Sequence, residues 1–406
     1  MTDFQAGFLS LIRSALTEAP PALPGDFDFG RAYALAERHQ VLPLIYYGAM
    51  CDPDFMSHPM AESFFQRTCV YISHSARQQE TVEELCRLLD RTGVDYMPLK
   101  GSVLKALYPR PEMRIMGDAD ILIHMEDYPR VTPVMESLKG TPLSESDHEY
   151  IWRLPSHVVI ELHKRIIPSY NRDYYAYFGD GWRFARPTAP GARRHDMTAE
   201  DKLIYLVAHF AKHYRDKGAG VKYVVDLYVF HRAYPHPDMT YLEKELKKLG
   251  LWDFFGHIQR LIEVWFGDGE SDGRTDFLTD RIFDDGVFGR EERGAVSDAL
   301  RLSGSARSAK RMRTRHMLFP PYGTMCNRHP ILKKWPILLP LLWILRLLTT
   351  VFSHRDRMEN KKKQLALMSE ENVAAYGKEL SYVGLGFGMV DGGTPPEEGG
   401  ARDGEG

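Results

Sequence analysis

The chain has 406 residues, of which 44% are hydrophobic and 26% are charged, and its formal net charge is -3. This composition is typical of a soluble globular protein with two or three domains, and the near balance of charge gives no overall signal for nucleic-acid binding. The cysteines have neither the spacing of a zinc site nor that of a disulfide scaffold. The residues after Met1 lack a signal-peptide pattern, so we expect a cytoplasmic protein.

The N-terminal part of the chain shows the apolar spacing of helices. Apolar residues recur at helical intervals over 31–50 and 60–90, and no two-residue alternation interrupts them. Pro43 is expected to end or kink the first of these helices. We therefore predict a helical N-terminal region over residues 1–92.

Short β-rich runs replace the helical pattern after residue 93. The predicted strands are 95–99, 119–124, 149–154 and 158–163. They predict a small mixed α/β core over 93–186. On the last strand Glu161 and His163 share one face, so we expect Glu161 to point to solvent or to a site.

Helical spacing returns over 187–385, for which we predict a C-terminal helical region. The predicted helices are 200–214, 220–234 and 239–266. His209 and His213 share a helix face, but the glutamate of an HExxH motif is missing, which favours packing or hydrogen bonding over a metal site. The Gly- and Asp-rich segment 267–289 lacks the ligand order of an EF-hand and is predicted to be a solvated loop.

Three features mark the C-terminal third. The basic window 307–316 is more typical of an exposed linker than of a phosphate-binding segment. Segment 335–352 is the most hydrophobic, but two prolines and Arg346 disfavour a membrane span. A helix packed on the core is favoured there, and peripheral contact with the inner face of a membrane is the alternative. Residues 386–406 are expected to form a disordered tail.

The strongest chemical signal lies between residues 97 and 123. Asp118 and Asp120 occupy positions i and i+2 of a predicted strand, so both carboxylates project from the same face. Paired carboxylates of this kind can hold Mg²⁺ or Mn²⁺. With Glu161 as a third carboxylate, they form the predicted catalytic and metal-binding set of a two-metal phosphoryl-transfer site.

A turn that precedes these aspartates is predicted to bind nucleotide. It contains Lys100, Gly101 and Ser102 and opens a short helix, whose free N–H groups can receive the outer phosphates. Lys100 or Arg114 would offset charge that builds up on the phosphates.

These motifs resemble an uncharacterised nucleotidyltransferase family of bacterial proteins, related to the DNA polymerase beta-type superfamily. The similarity covers roughly residues 30–350 and includes an LKG turn, an R-x-x-G-D-x-D strand, an ELH strand and a helical region with His209 and Asp226. It implies an α+β fold with a nucleotidyltransferase-like sheet and with Asp118 and Asp120 as metal ligands. The gap of 15 residues between Ser102 and Asp118 is longer than the superfamily's common spacing.

The sequence therefore predicts an enzyme that transfers a nucleoside monophosphate from an NTP, with ATP expected, to an unidentified hydroxyl acceptor. One alternative is an inactive adaptor of the same fold that contacts a membrane surface or a partner protein. Another is a DxD glycosyltransferase that uses nucleotide sugars, although the helical first 90 residues do not resemble the β/α half that normally precedes such a motif.

Overall fold

The computed structural model describes residues 1–155, 157–287, 322–353 and 369–387. It also describes 293–294, 296–297, 300–301, 311, 314–315 and 318–320. Seven of the ten residues of the predicted basic linker, 307–316, lie outside these residues. The predicted disordered tail also lies outside them, apart from residues 386 and 387.

The N-terminal region is helical, as predicted. Its helices are α1 (Asp3–Thr17), α2 (Phe29–His39), α3 (Leu42–Ala49) and α4 (Ala61–Thr92). The stretch predicted as one helix breaks close to Pro43, but three residues earlier: α2 ends at His39, its C-cap Gln40 is left-handed, and Pro43 lies in the first turn of α3. Proline is well tolerated there, since the first backbone N–H groups of a helix have no partner within the helix.

A five-stranded mixed sheet forms the α/β core. Its strands are β1 (Tyr96–Pro98), β2 (Asp118–Ile123), β3 (Thr141–Glu145), β4 (Glu149–Arg153) and β5 (Val159–His163). They are ordered β1-β2-β5-β4-β3, with β2 and β5 parallel and the other neighbours antiparallel. The four predicted strands are confirmed; β3 was not predicted, because all five of its residues are exposed and give no apolar alternation.

Side-chain alternation gives this sheet one apolar face and one mixed face. On β2, Ala119, Ile121 and Ile123 pack into a buried cluster with α4 and with α6 (Tyr128–Ser137). Asp118 and Asp120 alternate with them and therefore lie on the opposite face. This pattern turns the acidic side chains toward the C-terminal helices.

The C-terminal region is also mainly helical. It contains α7 (Arg172–Phe178), the short ribbon β6 (Arg186–Pro187) with β7 (His195–Asp196), α8 (Ala199–Asp216), α9 (Val221–Ala233), α10 (Met239–Lys248) and α11 (Trp252–Phe266). The stretch predicted as 239–266 divides after α10, where Gly250 has a φ of 63°. Apolar residues of these helices and of α1–α4 form one continuous core.

The predicted loop over 267–289 is wrong for most of its length, because α12 covers Gly273–Asp285. Asp272 caps this helix through hydrogen bonds to the N–H groups of Arg274 and Thr275. Leu278 and Ile282 are fully buried. The abundance of glycine and aspartate hid this apolar face in the sequence.

Three further helices are α13 (Tyr322–Arg328), α14 (Leu339–Ser353) and α15 (Glu370–Tyr382). Among the described side chains, those of segment 335–352 do not pack on the main core, so that expectation is wrong, and only one side of the segment is partly buried. That side rests on a small cluster separate from the main core, formed by Met325, Cys326 and Leu332. None of the helices described is long and apolar enough to cross a membrane.

Candidate active site

Two neighbouring parallel strands bring the predicted carboxylates together. Asp120 of β2 is the register partner of Glu161 of β5, and Asp118 is the partner of Val159. Because side chains alternate along each strand, Asp118, Asp120, Glu161 and His163 all lie on the face that is turned away from α4 and α6. The role of Asp118, Asp120 and Glu161 as metal ligands remains a prediction.

Asp120 is at the centre of this group. Lys100 Nζ donates to Asp120 Oδ1 at 2.8 Å, and His163 Nε2 donates to the same oxygen at 2.7 Å. His163 Nε2 also lies 3.4 Å from Glu161 Oε2. Burial raises the pKa of Asp120, but the Lys100 ammonium and the His163 hydrogen bond outweigh it and hold that pKa below its usual range.

The two other carboxylates carry negative charge that is less well compensated. Burial and the nearby Asp120 raise the pKa of Asp118. Burial raises the pKa of Glu161, and the carboxylates of Asp118 and Asp120 contribute to that shift. These shifts mean that the site favours added positive charge.

The donor set fits a divalent cation. One ligand atom each from Asp120, Glu161 and His163 lies within 4.8 Å of the others. Two carboxylates and an imidazole suit Mn²⁺, and the carboxylate oxygens also suit Mg²⁺. Asp118 is outside this closest group but projects from the same strand face.

A cavity of about 330 Å³ opens above the carboxylates. It lies between the sheet, the turn around Lys100, and helices α8 and α9. Its polar lining includes Asp118, Asp120, Glu149, Glu161, His163, His209, Lys212, His213, Lys222 and Asp226. Its volume is at the small end of the range for ligand pockets.

Two lysines in this cavity were not identified from the sequence. Burial, with Lys100 nearby, lowers the pKa of Lys212 to about 8. Burial and the neighbouring Arg114 lower the pKa of Lys222 to about 7, and Lys222 Nζ donates to Gln40 Oε1 at 2.7 Å. Neither lysine has an ion-pair partner among the described residues. A bound anion would stabilise both in their charged form.

The turn predicted to bind phosphate has a different arrangement. Helix α5 (Gly101–Leu104) is only four residues long, and Lys100 before it has a φ of 45°. Gly101 lines the cavity, and a Cβ there would come within 2.6 Å of Met116 Sδ. Ser102 instead lines a separate cavity beside α4, so it does not join the carboxylates.

Arg114, predicted to offset phosphate charge, already has a carboxylate partner. Its Nε donates to Asp226 Oδ1 of α9 at 2.7 Å, and Tyr108 donates to the same oxygen at 2.7 Å. Arg114 and Asp226 are both buried. This ion pair fastens the loop before β2 to the helical wall of the cavity.

His209 and His213 are hydrogen-bonded to each other, which agrees with the hydrogen bonding that their spacing favoured. Both residues also line the cavity. The Nε2 atoms of His209 and His213 are 3.1 Å apart. Burial and the nearby His213 lower the pKa of His209 well below its ordinary value, so the ring is neutral.

The sequence also contains a pattern from which part of the helical wall of the cavity could have been predicted. Lys222 and Asp226 are four positions apart and share one face of α9, as His209 and His213 do on α8. Polar residues at i and i+4 within otherwise apolar helices indicate a buried polar site. The sequence does not reveal that these two faces meet the acidic strands, because that depends on how the helices pack.

Comparison with known proteins relates the chain to one protein family. The profile of a family described as "uncharacterised nucleotidyltransferase" matches residues 25–267. A solved structure of an antigenic nucleotidyltransferase-like protein from Paracoccidioides brasiliensis is 19% identical, with a TM-score of 0.29, over 46% of this chain and 94% of that one. No curated protein matches the chain.

Proposed function

The chain belongs to the uncharacterised nucleotidyltransferase family, and from this premise we propose that it transfers a nucleoside monophosphate from an NTP, with ATP the expected donor, to a hydroxyl acceptor. The main observation that supports this proposal is that Asp118, Asp120 and Glu161, which come from two parallel strands, all line one cavity. Such a set suits a reaction at phosphorus that depends on divalent metal ions.

Asp118, Asp120 and Glu161 would hold Mg²⁺ or Mn²⁺, with His163 a further nitrogen ligand for Mn²⁺. When bound, the metal supplies Lewis acidity toward the phosphate oxygens and lowers the pKa of a coordinated hydroxyl. Lys100 lies beside Asp120 and keeps that carboxylate ionised, as a ligand must be.

The lysines on the helical wall are suited to bind the triphosphate. Lys212 on α8 and Lys222 on α9 face the cavity from the side opposite the carboxylates. A triphosphate between the two walls would place its negative oxygens near these ammonium groups, which would be fully protonated in its presence. Binding would thereby orient the α-phosphorus toward the acidic strands.

The transfer step is a displacement at the α-phosphorus. The acceptor oxygen forms the new bond to phosphorus, the bond to the bridging oxygen of the β-phosphate breaks, and pyrophosphate leaves. Glu161, whose carboxylate lines the cavity, would accept the hydroxyl proton. Lys212 and Lys222 would stabilise the charge that develops on the leaving pyrophosphate.

Nucleotide binding can be measured by calorimetry with each NTP in the presence of Mg²⁺ or Mn²⁺. Asp118→Asn should abolish metal-dependent binding, and Lys222→Met should weaken binding by about tenfold or more through loss of a charged contact. Glu126→Gln and Lys217→Met change exposed groups outside the cavity and should bind as the wild type does. Metal-dependent binding that persists in Asp118→Asn would contradict the assignment.

A further inference from the structure

Helix α14 is apolar on two opposite sides. Its inner side packs against the small cluster formed by Met325, Cys326 and Leu332; the packed residues include Leu339, Leu342 and Trp343. Trp343 Nε1 donates to the carbonyl oxygen of Pro320 at 3.0 Å, which fixes this side against the preceding chain. The opposite side is therefore left to face outward.

The outward side is exposed and strongly hydrophobic. Leu341, Ile344 and Leu345 are spaced i, i+3 and i+4 and are 61%, 57% and 53% exposed. Trp335 and Ile337, just before the helix, are 61% and 83% exposed. We call these five residues the apolar strip. A contiguous strip of large apolar side chains is unfavourable in water and marks a surface that binds something.

The charge of the sequence on either side of this strip limits the kind of partner that it can bind. Residues 307–363 contain fourteen Lys or Arg and only two Asp or Glu, in a chain whose net charge is -3. Lys334 is exposed directly beside Trp335. A partner that matches both features must offer an apolar interior beneath a negatively charged surface.

We propose that the apolar strip binds the surface of an anionic lipid bilayer, with the helix lying in the plane of the interface. Leu341, Ile344 and Leu345 enter the boundary between headgroups and acyl chains, and Trp335 sits at the headgroup level, where its amphipathic ring is favoured. Basic residues of the same stretch of sequence add attraction to anionic headgroups. The helix lies on the membrane and does not cross it, in keeping with its length of 15 residues.

This proposal does not depend on the nucleotidyltransferase assignment. The apolar strip shares no residue with the acidic cavity. A membrane location would bring the cavity to acceptors at the lipid surface, but vesicle binding can be tested without nucleotide.

The test is flotation of the full chain with vesicles of phosphatidylcholine alone or mixed with phosphatidylglycerol. The wild type should float with the anionic vesicles and bind them at least about tenfold more tightly than neutral ones, because several lysines and arginines contribute. The combined variant Trp335→Ala, Ile337→Ser and Leu341→Ser should lose at least about tenfold in binding, since its apolar contact is removed. High salt should weaken the wild-type interaction.

A matched control removes equally exposed apolar side chains elsewhere. Met56 and Val70 are 61% and 53% exposed and lie in the N-terminal region. Met56→Ser combined with Val70→Ser should float as the wild type does. The proposal is overturned by a wild type that stays in the lower fraction, by equal flotation of the strip variant, or by sedimentation showing that the strip instead holds two copies of the chain together.

Discussion

Asp120 on β2 and Glu161 on β5 are register partners across the parallel strand pair at the middle of the five-stranded sheet. His163 connects them, since its Nε2 lies 2.7 Å from the Asp120 carboxylate and 3.4 Å from that of Glu161. A parallel pair places equivalent ends of two strands side by side. The acidic residues of two separate sequence motifs thereby become one site.

The backbone at Lys100 provides a test of strain beside this site. Lys100→Ala and Lys100→Gly both remove the ammonium that pairs with Asp120, which should cost about 3 kcal/mol of unfolding free energy. Lys100 has a φ of 45°, which glycine adopts more easily than alanine. The glycine variant should therefore be more stable than the alanine variant by about 1 kcal/mol in urea denaturation. Equal stabilities would show that the backbone at Lys100 is not strained.

The buried pair of Arg114 and Asp226 should contribute to stability. Arg114→Met leaves Asp226 buried without its cation, and we expect a loss of roughly 3 to 5 kcal/mol in urea denaturation. Arg130→Met removes a comparable but exposed pair with Asp127 and should cost no more than about 1 kcal/mol. If Arg114 instead served mainly to bind phosphate, Arg114→Met would keep its stability and lose only NTP affinity.

His39 should make stability depend on pH. Its ring accepts a hydrogen bond from the Val221 N–H and contacts the carbonyl oxygen of Phe283. Burial, and to a smaller extent Arg38, lower its pKa from 6.5 to about 4. As the pH falls, His39 is therefore protonated in the unfolded state before it is protonated in the folded state. This should lower the free energy of unfolding by about 3 kcal/mol as the pH falls from 6.5 to about 4.

The matched variant is His39→Gln, which cannot be protonated. It should be less stable than the wild type at neutral pH but should lose less stability than the wild type between neutral pH and about pH 5. Urea denaturation at the two pH values measures how the unfolding free energy of each protein changes with pH. An equal change in the wild type and the variant would show that His39 is not the group responsible.

Two helical glycines should respond to alanine in opposite ways. A Cβ at Gly48 would lie 1.9 Å from the carbonyl oxygen of Leu11, because α1 and α3 pack closely there. Gly48→Ala should therefore lose about 3 kcal/mol or more of stability. A Cβ at Gly256 meets nothing within 4 Å, so Gly256→Ala should gain up to about 1 kcal/mol through helix propensity. Thermal denaturation of the two variants distinguishes these effects.

Much of the fold was predictable because its elements carry strong periodic signals. The switch from helical spacing to short β-rich runs located α4 and four of the five strands, and alternation along β2 placed Asp118 and Asp120 on one face. Strand β3 and helix α12 were missed, since one is fully exposed and the other begins within a run of glycine and aspartate. Local composition gave the wrong indication in both places.

The site was only partly predictable for a different reason. Carboxylates within one motif, such as Asp118 and Asp120, can be recognised from their spacing. Contacts between separate segments of the chain decide which carboxylates pair with Lys100 and Arg114. Such contacts also decide that Lys222 lies in the cavity wall. Spacing within a segment carries no information about these contacts.

Labelled ATP shows whether the protein transfers a nucleotidyl group. The protein is incubated with Mg²⁺ or Mn²⁺, cell lysate and ATP labelled at either the α- or the γ-phosphate, and the acceptor fractions are separated. We predict that label from α-labelled ATP enters an acceptor, that γ-label leaves as pyrophosphate, and that Asp120→Asn abolishes incorporation while Glu126→Gln does not. Label is counted above that of lysate without the protein; γ-label incorporated above this level, or α-label incorporated above it by Asp120→Asn, would rule out nucleotidyl transfer at this site.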